Sequence, residues 1–286
     1  FDAMYGAGSG YLKRLLGGGA ASVIEINGER NPAFPGINPE PIKQNLGRLA
    51  ETLIEKKADV GLAFDGDADR IGIIDENGRF MTQLEVYALL ALYLLEVKKQ
   101  RGPIVKTVTA TNMLYRLGKL YDVPVIETQV GFKYVAPIML KENALIGGEE
   151  SGGYGFRCHV PERDALLAGL YFLDFMVSTG KTPSELLEYL FSKVGPHFYN
   201  RRDFHFPAEK RQEIVDRIKR ANPAMIGNTK VVQFDTADGF RFRLEDGSWL
   251  LIRFSGTEPL IRIYAESGRI ERVEQILDYG QEMAGV

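Results

Sequence analysis

Cysteine is almost missing. The single Cys158 cannot form a disulfide within the chain, and a reducing, cytoplasmic setting is the natural expectation. Histidine is nearly as scarce. His159, His197 and His205 show no metal-ligand spacing, and only His159, beside a glycine-rich stretch, invites a functional reading next to a structural one. There is no basic excess: 35 Lys and Arg against 38 Asp and Glu give a net charge of −3, which speaks against a nucleic-acid partner. Long apolar runs are lacking as well. VYALLALYLLEV (86–97) is shorter than the ~18 residues of a membrane span and contains a glutamate, so no membrane partner is expected. No secretory pattern opens the chain; FDAMYGAGSG reads as a chain joined in mid-strand.

What remains is ordinary globular composition over 286 residues, enough for two or three domains with proper cores. The first part alternates strand and helix: FDAM as a strand end, helix YLKRLL, strand SVIEI, and a helix over 41–57 with Ile42, Leu46, Leu49 and Leu53 on one face. Strands DVGLAF and RIGIID follow, separated by an acidic loop. TQLE (82–85) is a capping box opening a helix over 83–100. Further strand and helix segments alternate up to the helix of TPSELLEYLFSKV. Beyond GPHFYN, strands joined by tight turns flank a polar helix (208–221), and a helix over 269–284 closes the chain. The expected fold is α/β: successive α/β units with mainly parallel or mixed sheets, then a small C-terminal α+β domain with an antiparallel sheet. Expected domains are 1–80, 81–196 and 197–286, with sites at the C-terminal ends of parallel strands.

Three stretches carry chemistry. In DGDADR (65–70), Asp65, Asp67 and Asp69 alternate in a loop between apolar strands, and Arg70 follows. Such carboxylates can converge on a hard cation, Mg²⁺, Mn²⁺ or Ca²⁺. An EF-hand does not fit, because Arg70 stands where that loop needs glycine and strands replace the helices. In GGEESGGYG (147–155), Glu149, Glu150 and Ser151 could hold vicinal sugar hydroxyls. RFSGTEP (253–259) offers Arg253, two hydroxyls and a glycine for a phosphate, or forms an ordinary turn. GAGSG (6–10) imitates a dinucleotide loop with Glu25 as the ribose acid, but Tyr11 replaces the third glycine, which favours a tight strand-to-helix turn.

DGDADR, GEES and RFSGTEP in this order, with VGFK (130–133) between the first two, resemble the α-D-phosphohexomutases, the phosphoglucomutase and phosphomannomutase family. The resemblance covers essentially the whole chain. It implies reversible phosphate transfer between O1 and O6 of a hexose phosphate through a 1,6-bisphosphate. It implies Mg²⁺ on Asp65, Asp67 and Asp69, with Arg70 beside a phosphoserine and Lys133 aiding proton transfer or phosphate contact. Glu149 and Ser151 would hold sugar O3 and O4, and Arg253, Ser255, Gly256 and Thr257 the phosphate not being transferred. The family's nucleophilic serine sits in a Ser-His-Asn-Pro type loop of a first domain. None of the nine serines here precedes histidine, and TATN (109–112) only faintly resembles that loop. The expectation is therefore a mutase without its phosphoserine domain, needing that domain as partner and inactive alone. Gly153 stands where some dual-specificity members carry histidine, and GEES and GFK lean towards glucose. Two rivals remain: a non-catalytic sugar-phosphate-binding module, and a Mg²⁺-dependent phosphatase with an aspartate nucleophile.

Overall fold

The computed structural model describes residues 1–256 and 258–286. They form two compact units, 1–194 and 195–286.

In the first unit, loop YGAGSG leads into α1 (Tyr11–Leu16), and Glu25 Oε1 accepts from the Gly10 amide at 2.7 Å. The expected strand SVIEI is reduced to one bridge at Ile26, which pairs in parallel with Asp2. Asp2 also bridges Ala63 in parallel. The helix expected from residue 41 starts later. A 3₁₀ turn at Lys43–Asn45 precedes α2 (Gly47–Lys56), which buries Leu49 and Leu53 beside Leu46, whereas Ile42 is half-buried. Next come β1 (Gly61–Phe64), β2 (Ile71–Ile74) and β3 (Phe80–Met81), all antiparallel, with Phe64 opposite Ile71. With the parallel bridges of Asp2 beside these antiparallel strands, the pairing here is mixed, within the expected parallel or mixed sheets. Six residues, 65–70, are too few for a crossover and more than enough for a hairpin.

The capping box forms as expected: Thr82 Oγ1 accepts from the Glu85 amide at 3.2 Å, and the Thr82 amide donates to Glu85 Oε2 at 2.8 Å. It opens α3 (Gln83–Leu92), buried from Leu84 onward and apolar all round, hence central. The α-helix stops short of the expected residue 100, widening into a π turn over Tyr93–Val97. Then follow β4 (Ile104–Thr107), α4 (Met113–Tyr121), β5 (Val125–Thr128), α5 (Phe132–Glu142), β6 (Ile146–Gly148), β7 (Tyr154–Phe156), α6 (Ala165–Thr179) and α7 (Pro183–Val194). The sheet order is β5-β4-β6-β7, parallel except for β7. The turn 149–153 thus lies at the C-terminal end of β6. The two sheets meet here: the Ile71 amide donates to Gly152 O at 3.0 Å, and Arg70 bridges Gly153.

The second unit contains β8 (Phe198–His205), α8 (Arg211–Ala221), β9 (Met225–Ile226), β10 (Thr229–Asp235), β11 (Phe240–Leu244), β12 (Trp249–Phe254), β13 (Leu260–Ser267) and α9 (Ile270–Ala284). Its sheet, β8-β13-β12-β11-β10-β9, is antiparallel throughout. Ile214 and Ile218 of α8 and Val273, Ile276 and Leu277 of α9 pack on Leu250, Ile252, Ile261 and Ile263. A Cβ on Gly280 would stand 2.8 Å from both Ile263 and Leu250, so α9 lies close on the sheet. Among the described residues no helix is long and apolar enough to cross a membrane.

The capping box generates a stability prediction. Thr82→Ala should cost about 1 kcal/mol in equilibrium urea denaturation, because the first turn of a buried helix loses its side-chain acceptor. Thr82→Ser should keep most of it; equal stability of the Ala variant and wild type would remove the cap's role.

Candidate functional site

The acidic loop is organised by its first carboxylate. Asp65 is buried; its Oδ1 accepts from the Asp69 and Arg70 amides at 2.9 and 3.1 Å, and its Oδ2 from Arg70 Nε at 2.7 Å. Ala68 takes a left-handed φ of 61° to close the turn. The GAGSG stretch supports this loop from behind. The Ala7 amide donates to Gly66 O, and a Cβ on Gly6 would stand 2.7 Å from that oxygen. Glu25, capping α1 as described, is engaged as well, which favours the strand-to-helix turn over a nucleotide loop.

Asp69 lies half-buried beside Asp65, and Asp67 is exposed. Burial, reinforced by the adjacent Asp65 carboxyl, pushes Asp69 up to about 6. Arg70 is held by Asp65 and, at 3.3 Å, by Glu40. Burial disfavours its charge, but Asp65, Glu40 and Asp69 outweigh that and raise it. Two of the three expected ligands are therefore adjacent, and the third is exposed. Among the described residues no three His, Cys, Asp or Glu side chains are grouped as a metal site requires. The donor set nevertheless fits a hard divalent cation in kind: all donors are carboxylates, and Asp69 lies beside Asp65.

The glycine loop stands against the acidic one. Glu149 is buried; its Oε1 accepts from the Gly131 amide at 2.9 Å, which ties VGFK to GEES. Burial raises its carboxyl, and Arg163 and that amide oppose the rise. Gly152, at φ 93°, has no room for a side chain: a Cβ would stand 2.8 Å from Ile71 O. Ser151 is half-buried in the turn. Lys133 is exposed on the first turn of α5, its Nζ 5.1 Å from the centre of the Tyr134 ring. His159 pairs at 2.8 Å with Asp164, whose other oxygen caps α6 through the Leu167 amide, so it has a structural engagement.

Arg163 and Glu40 escaped the sequence reading. Arg163 Nη2 lies 2.7 Å from Asp69, and Nη1 lies 3.5 Å from Glu149. The only signal was an arginine just before a helix cap, in PERDALL. Such a position usually denotes an exposed turn.

In the second unit, RFSGTEP runs from β12 into β13. Arg253 Nε pairs with Asp238 Oδ1 at 2.9 Å. Ser255 is buried, its Oγ accepting from the Glu258 amide at 3.3 Å. Gly256 borders open space, and Thr257 lies outside the described residues. A further unforeseen residue is Arg211, which donates to Ser255 O at 3.3 Å and covers the Phe254 ring.

Sequence profiles described as phosphoglucomutase/phosphomannomutase alpha/beta/alpha domains II and III and C-terminal domain match residues 1–78, 84–194 and 207–279. A "Phosphoglucomutase/phosphomannomutase" of Thermococcus kodakarensis is 36% identical over 279 residues, covering 98% of this chain and 59% of that protein. A "Phosphoglucosamine mutase" of Methanocaldococcus jannaschii is 34% identical over 278 residues, covering 95% and 59%. The crystal structure of a "putative phosphomannomutase" from Thermus thermophilus superposes with a TM-score of 0.85 at 35% identity, covering 100% of this chain and 60% of that one. The chain thus spans about three-fifths of the proteins it matches. With all three stretches of chemistry inside matched segments, the chain belongs to the phosphoglucomutase/phosphomannomutase family and corresponds to its domains II, III and C-terminal domain.

Proposed function

We propose that these 286 residues bind a hexose phosphate for reversible transfer of a phosphoryl group between O1 and O6, and that the phosphoserine comes from a domain outside them. The observation that carries this is the meeting of DGDADR and GEES. Stretches some eighty residues apart in sequence are joined by backbone pairing at Arg70–Gly153 and through Arg163. Phosphoryl transfer relies on positioning and charge neutralisation, and that is what these residues offer. Asp65, Asp67 and Asp69 would hold Mg²⁺, which when bound neutralises charge on the phosphoryl oxygens. Arg70, already fixed by Asp65 and Glu40, presents a guanidinium beside that position. Glu149 and Ser151 would accept from and donate to sugar hydroxyls O3 and O4. Arg253, Ser255, Gly256 and Thr257 would hold the phosphate that stays, and Lys133 would serve proton transfer or phosphate contact. Glucose, mannose and glucosamine, the sugars in the relatives' names, differ at C2, so a loop reading O3 and O4 would accept any of them; glucose 1-phosphate is the first to test. The lone Cys158 accords with a cytoplasmic location.

Mn²⁺ titration calorimetry tests the acidic loop. Wild type should bind one cation, and Asp67→Asn should bind at least about tenfold more weakly, since one of three anionic ligands is neutralised. Equal binding by both would remove Asp67 from the metal role.

The phosphate loop makes a two-sided prediction. Arg253→Ala should weaken glucose 1-phosphate by about ten- to a hundredfold and leave glucose unaffected, as a charge-assisted bond contributes ~1.5–3 kcal/mol. Asp238→Asn should strengthen it, because Arg253 loses its internal competitor. Equal losses for sugar and sugar phosphate would show that Arg253 is not the clamp.

The activity itself is tested with glucose 1-phosphate, Mg²⁺ and a trace of glucose 1,6-bisphosphate. Glucose 6-phosphate should accumulate only when a phosphoserine domain is supplied separately. Sustained turnover by the 286 residues alone would require a nucleophile among their own nine serines.

A further inference from the structure

Arg163 is built into its place. A Cβ on Gly153 would stand 2.2 Å from its Cδ and 2.9 Å from its Cγ, so the bare backbone there makes room for the arginine stem. Its guanidinium lies 5.7 Å from the Phe132 ring centre. One nitrogen lies 2.7 Å from Asp69 and another 3.5 Å from Glu149, so the shorter contact goes to the acidic loop. Its buried Nε makes no hydrogen bond and has only a 3.5 Å ion pair with the exposed Glu162. This guanidinium is therefore not saturated, and it offers two carboxylates, from two loops, one shared cation.

We propose that Arg163 is an internal counter-cation for Asp69 that a divalent cation must displace, so that loading the acidic loop frees the guanidinium to close on Glu149. The inference rests on the metal reading of that loop given above. Arg163 is here a positioning residue: it acts through Asp69 and Glu149. The physical basis is competition. A guanidinium 2.7 Å from a carboxylate occupies one of its oxygens and repels an incoming cation, so the cost of drawing the pair apart is subtracted from the cation's affinity. Parting is eased because a second carboxylate waits within reach of the same fork.

The consequence runs against what a structural support would show. Removing a scaffold loosens the loop and weakens cation binding, whereas removing a competitor strengthens it. Mn²⁺ affinity of the 286-residue chain is measured by calorimetry for wild type, Arg163→Gln, Arg163→Lys and Arg157→Gln, each checked by circular dichroism and thermal melting. Arg157 is the charge control: it donates to the Arg101 and Asn143 carbonyls rather than to the acidic loop. Arg163→Gln should bind Mn²⁺ about tenfold more tightly than wild type, the scale of one partly buried ion pair. Arg163→Lys, which keeps the charge but loses the fork, should fall between them, and Arg157→Gln should match wild type. If Arg163→Gln does not fold, the lysine variant decides alone: tighter binding supports the proposal, and unchanged or weaker binding overturns it. Unchanged or weaker binding by Arg163→Gln, or an equal gain in Arg157→Gln, overturns it as well. Absence of Mn²⁺ binding in wild type and variants alike would instead sink the metal reading itself, and this inference with it.

Discussion

The backbone contact between Ile71 and Gly152 is what the rest of the first unit depends on. It lets the turn leading into β7 pair antiparallel with the start of β2, so a hairpin sheet and a parallel sheet share one edge. The acidic and glycine loops of this unit are both placed by it. The acidic loop precedes Ile71 and the glycine loop contains Gly152, so any shift in this pairing would move both together. The contact also explains the glycines: Gly152 needs a left-handed φ and an approach to Ile71 O that a Cβ forbids, while Gly153 leaves space for Arg163. Histidine at position 153 would collide with that stem, so glycine here and arginine at 163 form one choice rather than two.

Much of the fold was legible because it rests on local signals. The capping box at Thr82 and Glu85 and the alternation of β11 to β13 are set by residues adjacent in sequence. The errors have a common cause. SVIEI has strand composition, but among the described residues its pairing is confined to the Phe1–Ala3 backbone, which only its Ile24 and Ile26 meet, so only a bridge at Ile26 forms. The segment from residue 41 has helical periodicity, yet an early proline and the tie of Asn45 to Glu40 O hold it in a 3₁₀ turn. Antiparallel β1 and β2 follow from loop length, since the six residues between them cannot carry a crossover.

The candidate site divides in the same way. Motifs whose chemistry lies in consecutive residues were readable, and DGDADR and GEES are indeed brought together. Arg163 was not readable, because its meaning lies in two partners, 94 and 14 positions away (163 − 69 and 163 − 149), that the fold delivers. Arg211 and Glu40 are of this kind too: single charged residues in polar stretches, which become informative only once their neighbours are known.

One electrostatic principle recurs in the two units. In each, a group suited to a charged ligand is already paired with an internal opposite: Asp69 with Arg163, Arg253 with Asp238. An unpaired charge of this sort, half-buried, would be costly in the ligand-free protein. The internal partner lowers that cost and holds the side chain near its working position. A ligand then exchanges one ion pair for another instead of desolvating a lone charge. Affinity is reduced by the exchange, and release of the ligand is eased by the same amount, because the internal partner is there to take its place.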